Sequence, residues 1–174
     1  NPITIKAFPG ETPILRAPSS GTRTALELRG PVLRISDWVI DGMTIGGSST
    51  TAGIHLNGVK NVTVKNIRME NTFTLWPTLS TDGVIITGGS EDCRILNSIF
   101  DQRLMNQVHL SSARHTEIRG NEFTNSGRMG IIMDGGDNAG TIVADNNFHD
   151  ASPDQAMVAL YLGTQGSRVV NNIF

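Results

Sequence analysis

Apolar residues alternate with polar ones in short runs along this chain, and the runs recur. The clearest is "TIVADNNF" (141–148), which returns as "TEIRGNEF" (116–123) and "SRVVNNIF" (167–174). Looser copies are "CRILNSIF" (93–100), "VTVKNIRM" (62–69) and "WVIDGMTI" (38–45). Aligned on the last residue, the phrase ends at Ile45, Met69, Phe100, Phe123, Phe148 and Phe174, with spacings of 24, 31, 23, 25 and 26 residues. A repeat of that length marks a solenoid. Inside each phrase the apolar period is two, so the repeating unit is a strand and not a helix.

A further strand precedes each phrase: "ALELRG" (25–30), "GIHLNG" (53–58), "GVIITG" (83–88), "QVHLSS" (107–112), "GIIMDG" (130–135) and "MVALYLG" (157–163). Its inward pairs run from Leu26/Leu28 to Val158/Leu160. Each coil then has a strand, a turn, a second strand, a tight polar bend, a short third strand and a variable loop. The pattern predicts an all-β fold, a right-handed single-stranded parallel β-helix of six to seven coils of about 25 residues. Equivalent residues stack from coil to coil. The bend column reads Gly42, Asn66, Asn97, Gly120, Asp145 and Asn171, residue types that tolerate a left-handed backbone. Asn121, Asn146 and Asn172 follow it and are placed to form an amide ladder. The phenylalanine column fills the core. Cys93 shares an inward column with Trp38 and Val62 and reads as a small buried hydrophobe.

Composition narrows the classes. The chain has 174 residues and a formal net charge of −2, with no basic footprint for nucleic acid. No apolar run reaches the roughly 18 residues needed to insert across a membrane. The single cysteine excludes an internal disulfide and a cysteine-cluster metal site. The whole of 1–174 reads as one β-helix domain. A recognisable strand starts at Ile3 and the last phrase stops at Phe174, whereas solenoids carry polar caps. The chain is therefore expected to be a fragment of a longer one, lacking one or both caps.

Since the interior is packed, chemistry must use outward positions. On the face of the first strand one outward column reads Glu27, His55, Ile85, His109, Ile132 and Ala159. The other reads Arg29, Asn57, Thr87, Ser111, Asp134 and Tyr161. Adjoining loops add Trp76, Asp82, Arg103 and Arg128. Polar and aromatic groups spread over several rungs suit an extended sugar chain. His109 is the central candidate, roughly 8 Å between backbones from Asp134 by strand geometry. In this reading His109 is the base, Asp134 orients it, Tyr161 donates a proton and Arg128 neutralises a carboxylate, the set that β-elimination or epimerisation needs. His55, Asn57, Trp76, Asp82, Arg103 and Ser111 are read as substrate-binding. Ser111, His109 and Asp134 also contain the residue types of a hydrolase triad, but nothing around Ser111 resembles a nucleophile elbow. Calcium at Asp134 and Asp137 in the turn "DGGDNAG" (134–140) is the one cofactor considered.

The opening "NPITIKAFPGETPILRA" (1–17), with "LRISDWVIDGMTI" (33–45), resembles the start of secreted polysaccharide-acting β-helix proteins, among them pectate, alginate and chondroitin lyases and C5-epimerases. The resemblance extends over essentially the whole chain. It implies a lyase-like protein that acts on or binds an extended, uronic-acid-containing polysaccharide, located outside the cell or on its surface. Catalytic signatures carry over less well. "STDGV" (80–84) is similar to the polygalacturonase Asn-Thr-Asp-Gly motif, with Asp82 at the acidic position, but "FDQRLMNQ" (100–107) lacks the paired aspartates expected next. The Asp-Pro-His-Glu motif of alginate epimerases is also absent. The alternative is a non-catalytic β-helix: an adhesin, a phage tail-fibre segment or a surface-binding module.

Overall fold

The computed structural model describes residues 1–16, 24–30, 35–46, 52–70, 82–101, 105–151, 156–161 and 163–174. All regular structure among them is β, in short parallel strands that wind coil upon coil. Three faces result. The first stacks Leu26–Arg29, Ala52–Asn57, Asp82–Glu91, Asn106–Arg114, Met129–Asp134 and Val158–Leu160. The second runs from Ile3–Lys6 through Ser36–Asp41, Lys60–Lys65, Arg94–Leu96, Glu117–Arg119 and Ile142–Ala144 to Arg168–Val170. The third stacks Ile14–Arg16, Thr44–Gly46, Arg68–Met69, Ile99–Asp101, Glu122–Thr124 and Asn147–His149. Every pairing is parallel and joins equivalent positions of successive coils, for example Val108↔Ile131, Ile95↔Ile118 and Phe100↔Phe123. Among the described residues the inner coils show the expected three strands, and the last coil shows two with an isolated bridge at Ile173.

The bends explain why asparagine and glycine recur. Gly42, Asn66, Asn97, Gly120, Asp145 and Asn171 all have positive φ, between 48° and 73°. A second corner carries a left-handed column that is less visible in the sequence: Asp37, Asn61, Asp92 and His115, at φ 60°, 51°, 56° and 52°. Asp37, Asn61 and Asp92 carry short side chains able to bond locally, and His115 departs from that type.

Inside, the ladder forms as the sequence implies. Asn121 Nδ2 donates to Asn146 Oδ1 at 3.0 Å, and Asn146 Nδ2 donates to Asn172 Oδ1 at 2.9 Å. The same Oδ1 atoms accept the backbone N–H of the preceding asparagine, at 2.9 Å in each case. Buried amides are thus satisfied along the axis, which their burial demands. Beside them the rings of Phe100, Phe123, Phe148 and Phe174 stack, with centroids 4.8, 4.7 and 5.1 Å apart. This spacing is the rung spacing of a parallel sheet. Cys93 is wholly buried, and burial pushes its thiol up to about 11, far from a reactive thiolate.

Candidate functional site

The first face carries the chemistry. In its inner columns Ile54, Leu56, Val84, Ile86, Val108, Leu110, Ile131 and Met133 are buried, so the alternate residues point outward. Register places His109 opposite Ile85 on one side and Ile132 on the other, with Ser111 opposite Asp134. A diagonal step from His109 to the next rung therefore meets Asp134. The Nε2 to Oδ1 distance is 2.8 Å. The other ring nitrogen is held as well: Nδ1 lies 2.9 Å from Asp82 Oδ2.

Asp82 is set from behind. Its Oδ1 accepts the Asn106 backbone N–H at 3.0 Å and the Asn106 side-chain amide at 2.8 Å. Both donors fall on one oxygen, which leaves the other for His109. Asp82 is 8% exposed, His109 23% and Asp134 40%. The three groups run outward from the wall in that order. Carboxylates only accept hydrogen bonds, so a ring flanked by two of them must donate from both nitrogens. Burial disfavours the imidazolium, but hydrogen bonds to Asp82 and Asp134, with their charges, outweigh it and lift the His109 pKa to about 9. At neutral pH His109 is a cation with no lone pair to offer. The sequence-based role of base does not suit it in this state.

Asp134 connects this cluster to an open cleft of about 330 Å³ lined by Arg128, Ile132, Asp134, Gly135 and Tyr161. Four expected catalytic residues, His109, Asp134, Arg128 and Tyr161, are thus brought to one place. Asp82, read as substrate-binding, instead anchors His109 from behind. Ser111 donates its hydroxyl to the Gly135 carbonyl at 3.2 Å, and His109 Nε2 is committed to Asp134, so no triad forms around Ser111. His55 and Asn57 stand on an earlier rung, separated from His109 by Ile85. Trp76 and Arg103 lie outside the described residues. Among the described residues no three His, Cys, Asp or Glu side chains are grouped to hold a metal ion. Asp134 is engaged by His109, and Asp137 Oδ1 accepts the Ala139 N–H at 3.0 Å, so the calcium considered there finds no shared cage.

His55 has the opposite electrostatics. Burial lowers its pKa, and Arg29 adds to that, against the raising effect of Glu27. Its Nε2 is 2.9 Å from Thr87 Oγ1, and Nδ1 is 3.5 Å from Glu27 Oε1. Two histidines of one column are therefore held in different charge states by their neighbours. Sequence reasoning placed Glu27 and Thr87 in the outward columns but gave them no role, and it missed Asn106. Only the diagonal offset between rungs shows who meets whom. The second face, by contrast, neutralises itself: Lys60 pairs with Glu91 at 3.2 Å, Lys65 with Asp41 at 3.5 Å and Arg119 with Glu117 at 2.7 Å.

A stability prediction follows from His109. Its folded pKa of about 9 stands above the ordinary value of 6.5. The stabilisation is fully present below the unfolded value and is lost as pH rises through the folded one. Between about pH 6 and about pH 10 the loss is on the order of 3 kcal/mol. Chemical denaturation at a series of pH values checks this, and His109→Gln should flatten the dependence in that window.

The family model for the right handed beta helix region matches residues 36–174. The chain belongs to the right-handed β-helix family. Among solved structures, this β-helix is similar to the A-module of the Azotobacter vinelandii mannuronan C-5 epimerase, with a TM-score of 0.59 and 20% identity, over 84% of this chain and 41% of that one. It is also similar to an alginate lyase from a Paenibacillus species, with a TM-score of 0.56 and 14% identity, over 99% of this chain and 84% of that one. This β-helix spans less than half the length of the epimerase module. At such identities the likeness is one of fold. No curated protein sequence matches the chain. Among the described residues no helix is long and apolar enough to cross a membrane.

Proposed function

We propose that this β-helix is a lyase-like protein that binds an extended, uronic-acid-containing polysaccharide along its first face and cleaves it by β-elimination beside His109. The observation that carries the reading is the joining of an imidazolium to a half-exposed carboxylate at the edge of a cleft whose walls include Arg128 and Tyr161. β-Elimination needs a neutralised uronate carboxylate, a base for the proton next to it and an acid for the leaving oxygen. Arg128 supplies the first as a fixed cation with planar donors. Asp134 accepts from His109 through Oδ1 and serves as the base. His109, charged and hydrogen-bonded to Oδ1, holds Asp134 with its other oxygen free for the substrate, a positioning role that needs the ring protonated. Tyr161 protonates the leaving oxygen. The fold neighbours support the substrate class, one being a mannuronan C-5 epimerase and the other an alginate lyase. A location outside the cell or on its surface is part of the same proposal.

The test is incubation with polymannuronate, polyguluronate, polygalacturonate and chondroitin, following the ultraviolet absorbance of new unsaturated ends. The expected result is product from at least one polymer, reduced at least ~100-fold in Arg128→Ala, as for loss of a positioned charge in a transition state. Binding without product on every polymer would identify a non-catalytic module instead. Absence of both would overturn the proposal.

A further inference from the structure

Glu27, His55 and Thr87 lie in line on three successive rungs of the first face, outside the cleft of Asp134. Glu27 pairs with His55 in the ladder, and Thr87 sits diagonally beyond His55 on the next rung, opposite Asn57. The neighbouring groups favour one tautomer. Glu27 can only accept, so the imidazole proton belongs on Nδ1, 3.5 Å from Glu27 Oε1. Nε2 then carries the lone pair and accepts the Thr87 hydroxyl at 2.9 Å. Arg29 Nη2 and Nε lie 2.7 and 2.9 Å from the same Glu27 oxygen and hold that carboxylate in place. The Nδ1 contact is an electrostatic one at 3.5 Å and not a formed hydrogen bond, and contacts of this kind commonly tighten when a substrate binds. His55 is also held neutral, as a base must be.

The backbone after Thr87 is unusual. Gly88 and Gly89 have φ of 69° and 75°. Ladder pairing jumps from Thr87↔Ser111 to Ser90↔Ala113, so both glycines sit in a bulge. They are exposed, and a Cβ at Gly89 would meet no atom within 4 Å. Gly88 packs against the Asn57 side chain, and the open space beside Thr87 lies one residue further on, over Gly89. A bulge on a sheet re-aims the side chain next to it.

We propose that Glu27, His55 and Thr87 form an acyl-transfer site that removes O-acyl groups from a polysaccharide lying on the first face. Thr87 Oγ1 attacks the ester carbonyl while His55 Nε2 takes its proton. The carbonyl–sugar oxygen bond breaks, and the proton passes from His55 to the sugar oxygen. This leaves an acyl-Thr87 ester and the free hydroxyl. Water, deprotonated by His55, then attacks that ester, and the proton returns to Thr87 as the carboxylic acid leaves. Glu27 orients the ring and stabilises its transient charge, the division of labour of a hydroxyl–imidazole–carboxylate relay. The polysaccharide nature of the leaving alcohol rests on the proposed function. His55 and His109 are two rungs apart, about 10 Å at the parallel-sheet spacing, so one chain would pass over both. The relay itself stands on its own residues.

The experiment measures acetate released from O-acetylated polymannuronate and, in parallel, hydrolysis of p-nitrophenyl acetate. Variants are Thr87→Ala, Thr87→Ser and His55→Gln, each checked by its melting temperature. Both substrates should be turned over by the unaltered chain. Thr87→Ala and His55→Gln should each lower the rate by ~10²–10⁴-fold, the range for loss of a nucleophile or its base. Thr87→Ser should retain activity within about tenfold. Hydrolysis of the aryl ester with that Thr87 dependence, but no acetate from the polymer, would sustain the relay and overturn the polysaccharide assignment. No hydrolysis of either, or equal rates in Thr87→Ala, would overturn the site. Unsaturated ends are a separate readout, so failure of the lyase reading leaves this result interpretable.

Discussion

Phe123→Ala should destabilise the fold by ~3–5 kcal/mol, the range for truncating a buried aromatic residue. The ring is 1% exposed and lies between Phe100 and Phe148, at 4.8 and 4.7 Å with interplanar angles of 13° and 8°. Its removal opens a void between two flat surfaces, and the backbone ladder on either side prevents collapse. Leu or Met at this position would fill part of the space and cost less. Phe174→Ala is the internal contrast. That ring stacks on one side only and is 68% exposed, so the loss should be under about 1 kcal/mol. Because coils contact only their neighbours, the Phe123 defect should also loosen coupling between the halves on either side. Denaturant unfolding followed by both fluorescence and circular dichroism would show it as a lower midpoint. Equal midpoints for Phe123→Ala and the unaltered chain would contradict the stacked core.

The phenylalanine column was legible because each coil repeats one environment. Six copies of a phrase fix a register that one copy could not, and the bend column Gly42, Asn66, Asn97, Gly120, Asp145 and Asn171 adopts positive φ throughout. The second corner was less visible because His115 interrupts its run of Asp37, Asn61 and Asp92, whose short polar side chains tolerate the left-handed backbone. The site was legible as a set of residues but not as a set of roles. His109, Asp134, Arg128 and Tyr161 followed from outward columns and adjoining loops. The protonation state did not, since it depends on a second carboxylate. Alignment of "GVIITG" (83–88) with "QVHLSS" (107–112) sets Asp82 level with Asn106, but it does not show that the Asp82 side chain reaches across to the His109 ring. Asp82 stands one rung before His109, on the side opposite Asp134, and the two carboxylates together make His109 a cation.

The same reasoning separates the two histidines of the column. A carboxylate on each ring nitrogen holds His109 charged, while burial lowers the His55 pKa and Glu27, with Arg29 against it, does not offset this. One residue type at equivalent positions therefore gains opposite chemistry from the rungs above and below. A β-helix face provides this variation readily, because outward side chains change without disturbing the inner columns.

His109→Gln should lower kcat for polyuronate cleavage by ~10²–10⁴-fold, the range for loss of an ionisable group at the reacting centre. The choice of glutamine matters. Alanine would leave Asp82, 8% exposed, with only its Asn106 donors, and an unpaired buried carboxylate is strongly destabilising. Lost activity could then be lost folding. A glutamine amide can still donate to one carboxylate while carrying no charge. The melting temperature of His109→Gln should consequently fall less than that of His109→Ala at neutral pH. The pH profile gives the sharper check. If the imidazolium is the active form, kcat in the unaltered chain should fall as pH rises through about 9, where His109 loses its proton. If a neutral imidazole were the base, kcat would instead rise toward that pH. His109→Gln should lack the limb altogether. Full activity in His109→Gln would remove His109 from the mechanism and leave the fold and the Glu27–His55–Thr87 relay untouched.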